Sequence, residues 1–277
     1  MASPCEILID GMDRQLAHII TQAAVNECQR IEQKYSRYLP SNLMQRINTS
    51  NGKPVAIDDE TFRLLSFADS CYQLSDGLFD ISSGVLRQAW RFDGSDNIPS
   101  HEQISKLLPL IGWPHIIFDQ QHITLPKGFE LDFGGIGKEY AVDCVAKICH
   151  QLNPTQSVLV NFGGDIQVTQ PRAKQGFWQI GIEDPNSQQD ANKVLRIASG
   201  GLATSGDARR FLLKNNKRYG HILNPKTGYP IEDAPRSVTV AAEHCIQSGL
   251  LATLALLQGA EAEAFLKQQE VKYWCYR

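Results

Sequence analysis

No stretch of this sequence approaches the roughly 18 consecutive apolar residues that a membrane-spanning helix needs. The opening Met-Ala-Ser-Pro-Cys-Glu also lacks the basic segment and apolar run of a secretory signal. The chain as given therefore reads as cytoplasmic, or as periplasmic or membrane-anchored if a leader preceded it. Basic blocks are missing too: 27 Lys and Arg against 30 Asp and Glu leave a net charge of -3. The electrostatic footprint of a nucleic-acid binder is absent, and DNA and RNA are discounted as partners. Seven cysteines, an odd number, include no C-x-x-C pair, which argues against a zinc site and against a full disulfide framework. Cys144 and Cys149 fall on a predicted helix and read as free buried thiols. Internal repeats, low-complexity tracts and obvious linkers are also lacking.

What is present is ordinary globular material: 277 residues, 42% hydrophobic and 21% charged, enough to bury a sizeable core. Helical and strand patterns alternate irregularly, which predicts α+β layers rather than a βαβ series. Leu16, Ile19, Ile20 and Ala23 recur at helical spacing, and a second helix is expected after Asp58 and Asp59, whose carboxylates suit its N-terminus. IIFDQQHITL (116–125) reads as a hairpin. ELDFGGIGKEYAVD (130–143) starts like a strand, turns through Gly134, Gly135 and Gly137, and continues as a helix with Ala141, Val145, Ile148, Cys149 and Leu152 on one face. SVLVNF, FWQIGI, KVLRIA and the closing KYWCYR are strand candidates, and residues 246–257 a buried helix.

The glycine turn fits neither familiar phosphate-loop pattern. Asp132 stands where a Walker A motif needs its first glycine, and Lys138 is followed by Glu139 rather than Ser or Thr. A G-x-G-x-x-G from Gly135 would need glycine where Tyr140 stands. The combination of backbone N–H groups, a helix start and a lysine still makes an anion site for phosphate. NFGGD (161–165) is explained by a hairpin turn. Thr204, Ser205 and Asp207 are explained as well by helix capping as by chemistry. In HILNPKTG, Pro225 and Gly228 belong to a turn, whereas His221 has no such explanation. Thr253 is either a metal ligand or a hydroxyl bonded back to its own helix.

Taken in order, MASPCEI, YSRYLPSNLMQRIN, GLFDISSG, LDFGGIGKEYAVD, VNFGGDI, ATSGDARRF, HILNPKTGYP and the SVTVAA segment with its later Ala-Thr resemble the successive motifs of the ApbE family, from Met1 to about Gly259. The resemblance implies an α+β, ApbE-like mixed sheet and helix architecture with two interlocked lobes and a central FAD cleft, treated as one catalytic domain over residues 1–277. It implies an FAD:protein FMN transferase that uses Mg²⁺ and FAD to join FMN to a Ser or Thr hydroxyl of an acceptor protein, with AMP leaving. Membrane contact would come only through a leader or a membrane-bound acceptor. By motif, Met1, Tyr38, Leu78, Phe79, Asp80, Asp132, Lys138 and the backbone near Leu223 should touch FAD. The Gly135 carbonyl and Thr253 should ligate metal, and His221 and Asp207 should act near the reacting phosphates.

One departure stands out. The family carries a metal-binding Asp four residues before the ligand Thr, where this chain has Gly249. Glu139, where glycine is common in the family, either replaces that carboxylate or is a first-turn helix acid. The departure keeps open an FAD-binding protein or an FAD pyrophosphatase without transfer. A dehydrogenase-like nucleotide binder ranks lower.

Overall fold

The computed structural model describes residues 3–11, 13–185, 193–207 and 211–277. The chain begins with β1 (Cys5–Ile9), α1 (Arg14–Tyr35) and α2 (Leu43–Asn48). Next come β2 (Val55–Ala56), α3 (Asp59–Leu74), a 3-10 run over Ile81–Gln88, α4 (His101–Leu107), β3 (Ile117–Phe118) and β4 (His122–Thr124). After α5 (Gly137–Leu152) the chain turns to strands: β5 (Val158–Phe162), β6 (Asp165–Val168), β7 (Trp178–Ile182), β8 (Lys193–Ile197), β9 (Gly200–Gly206), β10 (Phe211–Lys214), β11 (Lys217–Gly220) and β12 (Ser237–Ala242). It closes with α6 (Cys245–Leu257), α7 (Ala262–Gln268) and β13 (Lys272–Tyr276). The α+β expectation holds.

A six-stranded antiparallel sheet in the order β1-β5-β6-β9-β12-β13 organises the molecule. Strand alternation decides its two faces. Val158, Val160, Phe162 and Ala203 point to one face and pack against Ala141, Val142, Val145 and Cys149 of α5 and Leu250 and Leu254 of α6. Leu159, Ile166, Val168 and Leu202 point to the other, where the β7–β8 hairpin covers them with Ile180 and half-buried Leu195. A smaller core of Leu86, Trp90, Ile104 and Leu212 lies under the β10–β11 hairpin, and the Trp90 indole donates to the Gly228 carbonyl at 2.8 Å. That bond ties the 3-10 segment to the HILNPKTG turn.

Most local expectations are met. Asp58 caps α3 by accepting from the Thr61 N–H at 3.0 Å, and Asp119 closes the 116–125 hairpin by accepting from Gln121 and His122. Gly163 and Gly164, at φ +62° and +99°, form the two-residue turn between Phe162 and Asp165, a conformation that side-chain-bearing residues resist.

Four expectations need correction. The stripe on α1 is rotated: Ile20, Ala24, Ile31 and Tyr35 are buried, whereas Ile19 is 50% exposed. On α5, Val142 and Ala146 join the core, while Leu152, at the last turn, is exposed. Cys149 is buried and free, whereas Cys144 is free but only half-buried. The segment ELDF is not a strand: Leu131 exchanges hydrogen bonds with the Asn48 side chain at 2.8 and 3.0 Å, and the Asp132 N–H donates to the Ile81 carbonyl at 2.9 Å. Its backbone groups are satisfied by side chain and loop rather than by a ladder.

Outside the site, Glu60 sits between Arg30 at 2.6 Å and Lys34 at 2.5 Å. The Arg30 guanidinium, ahead of an opposing effect of burial and with help from Lys34 and Tyr140, holds the Glu60 carboxyl at about 2. Because this value is depressed, the stabilisation is present above the unfolded carboxylate value near 4 and is lost as pH falls through about 2. Glu60→Gln should cost about 1–2 kcal/mol at neutral pH, discounted for the solvent-exposed arginine. In urea unfolding series, its deficit against the native chain should close between pH 4.5 and about 2. No deficit at neutral pH would show the cluster to be thermodynamically idle, and a deficit that stays constant across that window would place its cost outside the Glu60 charge.

Candidate functional site

The glycine turn is shaped by the residues around it. The Asp132 Oδ1 accepts from the Gly134 N–H at 3.0 Å, and the Ile136 and Gly137 N–H groups both return to the Phe133 carbonyl. α5 then starts at Gly137 with no side-chain cap, leaving N–H groups of its first turn to water or to a ligand. Phe79 covers the turn: a Cβ on Gly135 would come within 3.1 Å of its ring.

Lys138 points from this turn to Asp165 at the start of β6, with Nζ 2.7 Å from Oδ2. Asp165 is 2% exposed and also accepts from the Thr204 N–H at 3.4 Å. Burial works against the Lys138 ammonium, but the Asp165 and Glu139 carboxylates outweigh it and hold its pKa above the ordinary lysine value. Glu139 is 8% exposed and its Oε2 has no hydrogen-bond partner. Burial first, and the Asp165 charge second, push its carboxyl well above the usual range. Glu139 lies against Gly249 of α6: a Cβ there would meet its Cγ at 2.6 Å and its Oε1 at 3.0 Å. One turn further along α6, the Thr253 hydroxyl donates to Ser205 Oγ at 3.3 Å rather than back to its own helix.

The NFGGD turn closes this region from the N-terminal side. A Cβ on Gly163 would meet Ser3 Cβ at 2.6 Å and the Lys138 ammonium at 3.8 Å. The expected flavin contact Met1 lies outside the described residues.

The other expected residues are distributed around this centre. Asp132 pairs with Arg37, which also donates to the Tyr38 hydroxyl at 2.8 Å and stacks over that ring. Tyr38 itself is 71% exposed. Asp80 is buried, and its two oxygens accept from the Ser82 N–H and hydroxyl and from the Trp113 N–H. That carboxylate ties two loops together. Leu78 is half-buried beside it. A surface cleft of about 260 Å³ is lined in part by Tyr72, Gly77, Asp80, Ile111, Gly112 and Lys226, between the GLFD and NPKTG motifs.

Thr204, Ser205 and Asp207 do not cap a helix. The first two lie on β9 and Asp207 directly follows it. Ser205 faces α6, whereas Thr204 faces the opposite way and pairs with the Thr239 hydroxyl at 2.8 Å. Asp207 accepts from Arg218 Nε at 2.7 Å, with Arg236 Nε 3.8 Å away. Arg218 in turn lies over the Phe211 ring. His221, half-buried after β11, meets the edge of Phe92 at 6.2 Å. Leu223 is held by a bridge to Pro230 and packs near Trp90. Three participants escaped the sequence reading. Asp165 was absorbed into a hairpin explanation, and Arg37 and Arg218 pair with acids that no local spacing reveals. The one signal available for Asp165 was a lone acid immediately after a Gly-Gly turn.

Among the described residues, no group of three or more His, Cys, Asp or Glu side chains converges on a metal position. A cation here would therefore rely on a mixed set: the Glu139 carboxylate, the Thr253 hydroxyl and a carbonyl such as that of Gly135. Hard divalent cations accept such oxygen sets. The buried Glu139 oxygen, without a hydrogen bond among the described residues, is consistent with such a set.

The helix-flanked antiparallel sheet, with its glycine turn at the start of α5, places the chain among α+β proteins of the flavin-transferase class. Over 99% of this chain and 90% of its own, the ApbE protein of Thermotoga maritima superposes with a TM-score of 0.88 at 28% identity. The Pseudomonas stutzeri flavinyl transferase ApbE, in its apo form, does so over 98% and 90% with a TM-score of 0.82 at 25% identity. The chain belongs to the ApbE family, whose profile matches residues 1–275. Among its relatives, the FAD:protein FMN transferase of Klebsiella pneumoniae is 28% identical over 98% of this chain and 84% of its own length. That of Haemophilus influenzae is 29% identical over 83% and 70%.

Proposed function

We propose that this chain is an FAD:protein FMN transferase acting as a single catalytic unit, which moves the FMN half of FAD onto a Ser or Thr hydroxyl of an acceptor protein. The observation that carries this reading is Lys138, a cation held by a buried carboxylate at the uncapped start of α5. The hydroxyl oxygen attacks the FMN-side phosphorus, the bond from that phosphorus to the bridging oxygen breaks, and AMP leaves with that oxygen. The pyrophosphate brings negative charge into the site, and Lys138 with the backbone N–H groups of the α5 start neutralises it. A bound Mg²⁺ would add charge neutralisation at the phosphate oxygens.

Phe79 and Leu78 supply apolar wall for the FAD, and Asp80 acts through the loops it ties together. Asp132, oriented by Arg37, and the exposed Tyr38 ring border the flavin side, with the backbone at Leu223 completing the contacts. His221 accepts the hydroxyl proton. Asp207, already engaged by Arg218, positions phosphate through that arginine instead of serving as the base.

The test is incubation with FAD and Mg²⁺, with and without an acceptor carrying a Ser or Thr flavinylation motif, following AMP release and acceptor mass. The native chain should yield flavinylated acceptor. His221→Ala should lower transfer by about 10²–10⁴-fold while FAD binding, read by flavin fluorescence, persists. AMP without modified acceptor would instead identify a pyrophosphatase. Tight FAD binding without AMP would identify a carrier, the readings that Gly249 favours.

A further inference from the structure

Two buried carboxylates, Glu139 and Asp165, face a single ammonium, that of Lys138, and the ion pair forms with Asp165. Glu139 is 8% exposed and lies against the Asp165 carboxyl, and its Oε2 makes no hydrogen bond among the described residues. Two buried carboxyls set against each other are costly unless something positive or protic arrives between them. One turn beyond Gly249 along α6, the Thr253 hydroxyl, which donates to Ser205 over a long 3.3 Å, supplies a second hard oxygen.

The stem of Glu139 occupies the volume that a side chain at position 249 would take. A Cβ at 249 would lie 2.6 Å from Glu139 Cγ, closer than packed atoms approach, and a tight 3.1 Å from its Cδ. With Glu139 in this conformation, any side chain at 249 would have to displace it, so the two positions share one side-chain space between α5 and α6.

We propose that Glu139, reaching from α5 across Gly249, is the anionic ligand of a divalent cation seated beside Thr253, and that positions 139 and 249 form a reciprocal pair in which the carboxylate can be mounted on either helix but not on both. The role of that cation in catalysis rests on the transferase reading; its binding does not. Asp165 raises the local negative charge while remaining bound to Lys138, so the seated cation and the lysine together present positive charge to the start of α5.

The experiment is Mn²⁺ titration of the purified chain followed by electron paramagnetic resonance of the free ion, with and without FAD, alongside circular dichroism and thermal unfolding. The native chain should take up one Mn²⁺ per molecule in at least one of the two conditions. Glu139→Gln, which keeps the shape, should retain the fold and weaken Mn²⁺ binding by about 10-fold or more. Gly249→Asp alone should unfold at lower temperature, because two side chains contend for one space. The double variant Glu139→Gly with Gly249→Asp should recover both unfolding temperature and Mn²⁺ uptake. Native-like Mn²⁺ affinity in Glu139→Gln, no uptake by the native chain in either condition, or a double variant no better than Gly249→Asp would overturn the proposal. Failure of the transferase reading shows separately, as absence of FAD binding or of acceptor flavinylation by the native chain whatever its Mn²⁺ affinity.

Discussion

Replacing Lys138 with methionine should abolish measurable flavin transfer and weaken the fold together, and the two effects should separate in a double variant. Lys138 is the partner of Asp165, which is 2% exposed. Removing one member of a buried pair leaves the other charged and unpaired, at a cost of about 3–5 kcal/mol when both are fully enclosed. The lysine side chain keeps 31% of its surface, so about 2–4 kcal/mol is the expectation here. That is a large share of the roughly 5–15 kcal/mol that holds a typical domain folded. Loss of a cation aimed at the phosphates should lower the rate by about 10²–10³-fold, as loss of one preorganised donor does.

Adding Asp165→Asn to Lys138→Met removes the stranded charge while Asn Oδ1 can still accept from the Thr204 N–H. Most of the stability should return in urea unfolding, whereas AMP release from FAD should not. If the single variant turned over within a few-fold of the native chain, Lys138 would be a structural ion-pair partner only. If the second substitution left the stability deficit in place, the cost would lie in lost packing of the lysine stem and not in the charge of Asp165.

The sequence made the local elements plain and left their long-range pairings obscure. Asp58, Asp119 and the Gly163–Gly164 turn act within a few residues of themselves, so their roles could be read from spacing. β9 could not: GGLATSG has the glycines and small hydroxyls of a loop or cap, and it becomes a strand because β6 and β12 lie on either side to take its hydrogen bonds. ELDF shows the converse, a strand-like tetrapeptide that has no neighbouring strand and finds Asn48 and Ile81 instead. The site divides in the same way. Lys138 and Glu139 were visible because they sit in a motif at a helix start. Asp165, 27 positions after Lys138 by their numbering, entered only through the fold. The meeting of Glu139 with Gly249 likewise depends on how α5 crosses α6, which no single segment encodes.

That crossing is set by one close approach, and Gly201→Ala should therefore be among the most damaging single substitutions outside the charged centre. Gly201 pairs with Gln167 and Ala242 in the sheet while the start of α6 lies directly on its Cα. A Cβ there would come within 2.6 Å of the His244 carbonyl oxygen and nearer still to the Cys245 nitrogen. The helix start has no freedom to retreat, because Asp143 of α5 holds it from the other side: its two oxygens accept from the Cys245 and Ile246 N–H groups, each at 2.9 Å. Overpacking costs about 1–3 kcal/mol, and losing a cap about 1 kcal/mol more, so about 2–4 kcal/mol is expected. Asp143→Ala, which loses only the cap, should cost about 1 kcal/mol and gives the comparison. Because α6 carries both Gly249 and Thr253, any retreat of its first turn also shifts Thr253 relative to Ser205 and Glu139. Transfer by Gly201→Ala should therefore fall at temperatures where circular dichroism still reports a folded chain, and fall further than in Asp143→Ala. Equal transfer by the two folded variants would mean that the placement of α6 tolerates this displacement and that the catalytic centre is organised from α5 alone.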